Sequence, residues 1–135
     1  MKLGRPTRIG LVGLGLMGEL YARVYTADSQ SEFVAVASSS IAKRAKYEQQ
    51  YGVRAYVDYE DMLSTADLDA VVIATPDYAH FAPARLALQA GKHVLVEKPM
   101  TTSVAEADEL LRLADERMLN IQVAYNHRWL APYYS

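Results

Sequence analysis

The stretch "RIGLVGLGLMGELYARVY", residues 8–25, follows Gly10 with three closely spaced glycines, at positions 13, 15 and 18, in a largely apolar run. Arg8 to Val12 reads as a buried strand and Met17 to Thr26 as a helix, so the glycines fall on the turn between them. Their spacing is G-x-G-x-x-G, and each position has a separate physical use. The first glycine makes the tight turn, the second lets a pyrophosphate approach the backbone, and the third lets the helix pack on the strand. Gly13, Gly15, Leu16, Met17 and Gly18 are therefore the candidate pyrophosphate loop, with the anion on unpaired amides at the positive end of the helix. The competing reading is a turn that merely packs helix on strand, which a strand–turn–helix context makes the weaker of the two.

Moving outward, short β-branched runs alternate with longer amphipathic ones. Phe33 to Ala37 is a second strand, and Ile41 to Tyr51 a helix that Gly52 ends in a left-handed conformation. "RAYV" is a short third strand, and Asp58 caps a brief helix through Leu63. "DAVVIAT" is a fourth strand, apolar throughout, as expected when both faces of a sheet are covered. A helix over Ala79 to Ala90 stops at Gly91, and "HVLVE" is the fifth strand. Ser103 and Glu106 have capping-box spacing. They open a helix whose Val104, Ala107, Leu111, Ala114 and Met118 share one face, and "IQVAY" is the sixth strand. Strict alternation of this kind predicts an α/β, doubly wound parallel sheet, a Rossmann fold of six strands with flanking helices and right-handed crossovers.

Composition excludes several classes of function. The chain has 135 residues, 51% of them hydrophobic, and a formal net charge of −2, enough for a real core in one domain. Near-neutral charge gives no reason to expect a nucleic-acid or anionic-membrane partner. There are no cysteines, which removes disulfides and thiolate metal sites and fits a cytoplasmic location. No metal site is expected. No apolar run approaches the roughly 20 residues that span a bilayer. Lys2, Arg5 and Arg8 before an apolar run mimic a signal peptide, but glycines interrupt the run and Glu19 follows it without a cleavage pattern.

The dinucleotide itself is read from the end of the second strand. An NAD enzyme usually places Asp or Glu there to hold the ribose 2′-OH. Here the position carries Ser38, in "SSSIAKR". Ser38 and Ser39 offer hydroxyls to a 2′-phosphate, while Lys43 or Arg44 could neutralise it. The reading leans to NADP over NAD, although serine also serves a 2′-OH and the run could be a solvated turn.

The carboxyl ends of the other strands carry Thr75 with Pro76, Glu97 with Lys98, and Asn126 to Arg128. In a doubly wound sheet these ends gather at one edge, where ligands collect. Lysine suits hydride chemistry, because an ammonium can donate a hydrogen bond or proton to an oxygen whose proton demand is changing. Glu97 could hold the Lys98 cation, and Pro99 biases Lys98 toward extended backbone. A surface ion pair at a strand end is the alternative.

"GLGLMG", "ATPDYAH", "AGKHVLVEKPM" and "NHRW" occur here in the order seen in the Gfo/Idh/MocA oxidoreductases, named for glucose–fructose oxidoreductase, inositol dehydrogenase and a rhizopine-catabolism protein. The resemblance runs over nearly the whole chain. It implies that Gly13 to Gly18 bind the pyrophosphate and that Thr75, Pro76 and His80 line the nicotinamide side. It also implies that Glu97 and Lys98 are the family's signature pair, with Lys98 catalytic, and that Arg128 contacts cofactor or substrate. For His80 a helix-start residue bonded to backbone is the alternative. Ser38 departs from the common acidic residue.

By the same resemblance residues 1–125 form the NAD(P)-binding domain. Residues 126–135 would begin the connection to a second α/β domain, absent here, that completes the catalytic set with an Asp and a His. The expected activity is hydride transfer between nicotinamide and a sugar, polyol or related small molecule. Two alternatives are a non-catalytic dinucleotide sensor and a stand-alone interaction module. The apolar tail Trp129, Leu130, Tyr133 and Tyr134 suggests an uncovered seam, hence self-association into a homo-oligomer.

Overall fold

The structure, a computed structural model, describes residues 4–129, without the side chain of Trp129. Six strands form one sheet: β1 (Thr7–Val12), β2 (Ser31–Ala37), β3 (Arg54–Tyr56), β4 (Ala70–Ile73), β5 (His93–Glu97) and β6 (Ile121–Ala124). Their order across the sheet is β3-β2-β1-β4-β5-β6. Every pairing is parallel. The chain thus winds outward from β1 in one direction, returns to the middle at β4 and winds out in the other. β1 and β4 form the switch point, where the connections leave their strands in opposite directions and open a crevice.

Period-two alternation sends the strand side chains to two cores. Val12, Ala37, Val71, Ile73, Val94 and Val96 face one side, under helices α3 (Tyr59–Thr65), α4 (Phe81–Gln89) and α5 (Val104–Glu116). Ile9, Leu11, Val36 and Val72 face the other, under α1 (Leu16–Ala27) and α2 (Ile41–Tyr51). The starts of α3 and α5 are capped as their sequence suggests, and α2 is capped in the same way. Ser40, Asp58 and Ser103 each accept a hydrogen bond from the amide three residues on, an arrangement worth about 1 kcal/mol apiece. Gly52 closes α2 at φ 67°.

Two local expectations are corrected. The segment before α4 is a separate 3-10 turn, Asp77–Ala79, and the helix proper begins at Phe81. On α5 the buried stripe is Leu110, Leu113 and Ala114, whereas Val104, Leu111 and Met118 are exposed. Both sets follow helical spacing, and periodicity alone does not say which stripe meets the sheet. The two leucines, 110 and 111, compete for the core, and contact with α4 decides it.

Met118 lies past the end of α5 with φ +54°. The Leu119 amide bonds back to the Ala114 carbonyl at 2.8 Å, closing the helix with a residue whose side chain is 91% exposed. A left-handed non-glycine costs about 1 kcal/mol, part of which a glycine returns through its looser unfolded chain. Met118→Gly is therefore expected to raise stability by about 0.5 kcal/mol. A denaturant midpoint that falls on substitution would contradict this account.

Candidate functional site

The glycine loop joins β1 to α1 at the switch point. Gly13 has φ +96°, and a Cβ on it would come within 2.5 Å of the Ala74 carbonyl at the end of β4. A Cβ on Gly18 would overlap the Gly13 carbonyl oxygen. A Cβ on Gly15 would meet nothing within 4 Å. The first and third glycines thus serve packing, and the second leaves open space beside the backbone. Gly15 is also the N-cap of α1, with no side chain capping the helix, so its first-turn amides are left for a ligand. Leu16 is exposed and Met17 half-buried at the same turn. Glu19 would oppose an anion here, but its carboxylate is drawn toward α2 by the Tyr51 hydroxyl at 2.8 Å and the Lys46 ammonium at 3.3 Å. The Tyr51 bond in particular holds the Glu19 carboxyl below its ordinary range.

Beside the loop a cleft of about 310 Å³ is lined by Gly13, Ser38, Ser39, Asp58, Tyr59 and Thr75, with Val12, Ala37 and Val57 as its apolar floor and wall. Ser38 Oγ accepts from the Ser40 amide at 3.2 Å. The Arg44 guanidinium donates to the Ser38 carbonyl at 2.7 Å, which holds one cation at the mouth. Lys43 stands exposed on α2 and gives its backbone amide to the Ser40 cap. Asp58 and Tyr59 are additions that sequence reading did not make. Their signal was indirect: they follow β3, and all strand ends share this edge.

Glu97 and Lys98 diverge. Successive residues at a strand end point to opposite faces, so the pair does not form the ion pair that adjacency suggested. Glu97 is buried and accepts from the Tyr21 hydroxyl of α1 at 2.5 Å. Burial pushes the Tyr21 hydroxyl well above its ordinary range, followed by its bond to Glu97 and that group's charge, so Tyr21 stays a donor at neutral pH. Tyr21 lies three residues past Gly18, on the helix face that meets the sheet, and that spacing was its sequence signal. Lys98 is exposed. It lines a second cleft, of about 210 Å³, with Ala124, Tyr125, Asn126 and His127. Arg128 is exposed in the 3-10 turn Asn126–Trp129 that follows β6.

Thr75 and Pro76 follow β4 at the edge of the first cleft, and the Thr75 hydroxyl donates to the Ala79 carbonyl at 3.0 Å. His80 does not open onto either cleft. Its ring is fully buried, with Nδ1 2.7 Å from the Pro99 carbonyl oxygen and Nε2 2.9 Å from the Thr75 carbonyl oxygen. The backbone-bonded alternative is the one the structure contains, because helix α4 carries the ring beneath the two loops rather than above them. The expected apolar seam at Leu130, Tyr133 and Tyr134, and the side chain of Trp129, lie outside the described residues. No helix among the described residues is long and apolar enough to cross a membrane. No group of three or more metal-ligating side chains occurs among them either.

A parallel sheet of this order, with a glycine loop at its switch point and polar residues along the same edge, defines a dinucleotide-binding domain. Residues 7–125 match the GFO_IDH_MocA oxidoreductase family, NAD-binding Rossmann fold, and the chain belongs to it. It is 37% identical over 121 residues to UDP-N-acetylglucosamine 3-dehydrogenase of Acidithiobacillus ferrooxidans, covering 90% of this chain and 37% of that protein. Over 102 residues it is 37% identical to the NADP(+) D-xylose 1-dehydrogenase of Hypocrea jecorina, covering 72% of this chain and 26% of that one. The fold matches scyllo-inositol dehydrogenase of Lactobacillus casei, solved with NAD(H) and scyllo-inositol, with a TM-score of 0.89 at 28% identity. That match covers 94% of this chain and 38% of the other. The matches therefore span between about a quarter and little more than a third of the length of these relatives.

Proposed function

We propose that this chain is the cofactor-binding part of an NAD(P)-dependent oxidoreductase acting on the CH–OH group of a sugar, polyol or related compound. The observation that carries the reading is the open Gly15 at an uncapped helix start, on the same sheet edge as an exposed Lys98. The residues fit a dinucleotide. Gly13 to Gly18 would take the pyrophosphate on backbone amides. Ser38, Ser39 and Thr75 would line the adenosine side, and Thr75 with Pro76 would lead toward the nicotinamide. When bound, the nicotinamide supplies or accepts the hydride. Lys98 would present its Nζ to the substrate oxygen, donating a hydrogen bond or proton as that oxygen changes charge. Glu97 would stay with Tyr21 and keep the strand end in place. Relatives of this chain act on sugars and polyols by name, which supports the substrate class.

NADP(H) is the favoured cofactor within this reading. Ser38 stands where a carboxylate would repel a 2′-phosphate, and the Arg44 guanidinium is anchored on the Ser38 carbonyl. Calorimetric titration with both cofactors tests this together with the function. NADP(H) should bind more tightly than NAD(H), and Ser38→Asp should reverse the order by repelling the phosphate and accepting from the free 2′-OH. Tighter NAD(H) binding by the unmutated chain would overturn the preference. Binding of neither would overturn the function.

A further inference from the structure

We propose that His80 is a positioning residue for Lys98, its imidazole joining the backbone segment that carries Lys98 to the segment that carries Thr75 and Pro76. The inference rests on the reading above in one respect only, that Lys98 serves the reaction. Its geometric part stands alone.

His80 and Glu97 are the two buried polar or charged residues among the described ones, and of these only His80 is fully shielded. Both ring nitrogens lie within hydrogen-bond distance of main-chain carbonyl oxygens, from different loops. One carbonyl, of Thr75, belongs to the turn after β4. The other, of Pro99, belongs to the residue directly after Lys98. Carbonyl oxygens only accept, so a ring nitrogen bonds one only when it carries the proton, and the neutral ring donates to one of the two at a time. The shorter of the two contacts, 2.7 Å, is the one beside Lys98.

The need for such a tie follows from the sheet. β4 and β5 are neighbours and register as far as Ile73 with Val96. Beyond that pair the two chains leave the ladder, and no strand hydrogen bond holds the loops to each other. Lys98 sits two residues past the last position paired with β4 and one past Glu97, which still pairs with Ala124 of β6, and it is exposed, with a long side chain. Its backbone direction then depends on what grips the peptide after it. That grip is His80, delivered from below by the start of α4 and locked by complete burial. Thr75 is held in turn by its own hydroxyl on Ala79, the residue before His80. The two loops and the helix start thus form one closed unit around the ring.

The test compares two substitutions that each keep a donor at one of the two contacts. The amide nitrogen of asparagine falls near the place of Nδ1, and that of glutamine near the place of Nε2. His80→Asn therefore keeps the donor to Pro99, and His80→Gln keeps the donor to Thr75. Each variant offers a donor to one loop and none to the other, so a merely structural histidine predicts similar effects from each. Positioning predicts a split. In nitrogen-15 NMR of this chain, the Lys98 and Met100 amide signals should move in His80→Gln and stay near their places in His80→Asn. In the full enzyme, kcat should fall about tenfold in His80→Gln and stay within about twofold in His80→Asn. The dissociation constant for the dinucleotide should remain within about twofold in both.

Equal displacement of the Lys98 signal in the two variants, or none in either, would overturn the proposal. So would a kcat that follows melting temperature rather than the Asn–Gln split. If the unmutated chain bound no dinucleotide, the functional reading would fall instead, and the NMR comparison would still decide whether His80 holds Lys98.

Discussion

Gly15→Val is expected to abolish the rise in melting temperature that a nicotinamide dinucleotide produces, while leaving the unliganded protein almost as stable as before. The second half of that expectation comes from the structure. A Cβ at position 15 meets nothing within 4 Å, and the residue's φ of −82° suits any side chain. The first half comes from mass action. A ligand present at a hundred times its dissociation constant stabilises the folded state by about 2.7 kcal/mol, and a side chain in the place of the pyrophosphate removes that term. Gly18→Ala should do the opposite. Its methyl group would overlap the Gly13 carbonyl oxygen, which belongs to backbone held between two strands and cannot step aside. A loss of about 3 kcal/mol in the absence of ligand is expected, at the upper end for overpacking. Differential scanning calorimetry with and without dinucleotide separates the two. A Gly15→Val protein that keeps its ligand shift would remove the pyrophosphate from this loop.

Lys98→Met is expected to lower kcat of the full enzyme by about 10² to 10⁴, the usual worth of one positioned acid–base group. Dinucleotide affinity should hardly change, because the glycine loop lies at β1 and Lys98 lies beyond β5, in a different cleft. Methionine matches the length of the side chain and removes its proton. Lys98 is exposed and forms no ion pair with the adjacent Glu97, so little stability rides on it. Steady-state kinetics alongside calorimetric binding gives both numbers. A kcat within about threefold of the parent would take Lys98 out of the chemistry, and a parallel loss of cofactor affinity would mark it as a binding residue instead.

Much of the fold was legible in the residues themselves. Strand–helix alternation, continuous apolar strands and the turn glycines are local signals, and each names its element without help from the rest of the chain. The same holds for Gly13, Gly15 and Gly18, whose spacing is a local geometric demand of a strand, a turn and a helix. The caps at Asp58 and Ser103 were legible for the same reason, since a cap bonds only three residues away. What the sequence left open was which of two helical stripes on α5 is buried, because Leu110 and Leu111 are equally apolar and only packing against α4 chooses. Adjacency likewise misled at Glu97 and Lys98. Neighbours in sequence point apart at a strand end, and the partner of Glu97 proved to be Tyr21, on a helix 76 positions away. His80 is the clearest case of all. Nothing local says whether an imidazole at a helix start faces a cleft or turns beneath it. Its role depends on two carbonyls, from Thr75 and from Pro99, that only the parallel pairing of β4 with β5 brings to the same place. Local spacing determined the elements and the phosphate loop, and tertiary contact alone decided which side chains hold one another, because those contacts join residues that the chain keeps far apart.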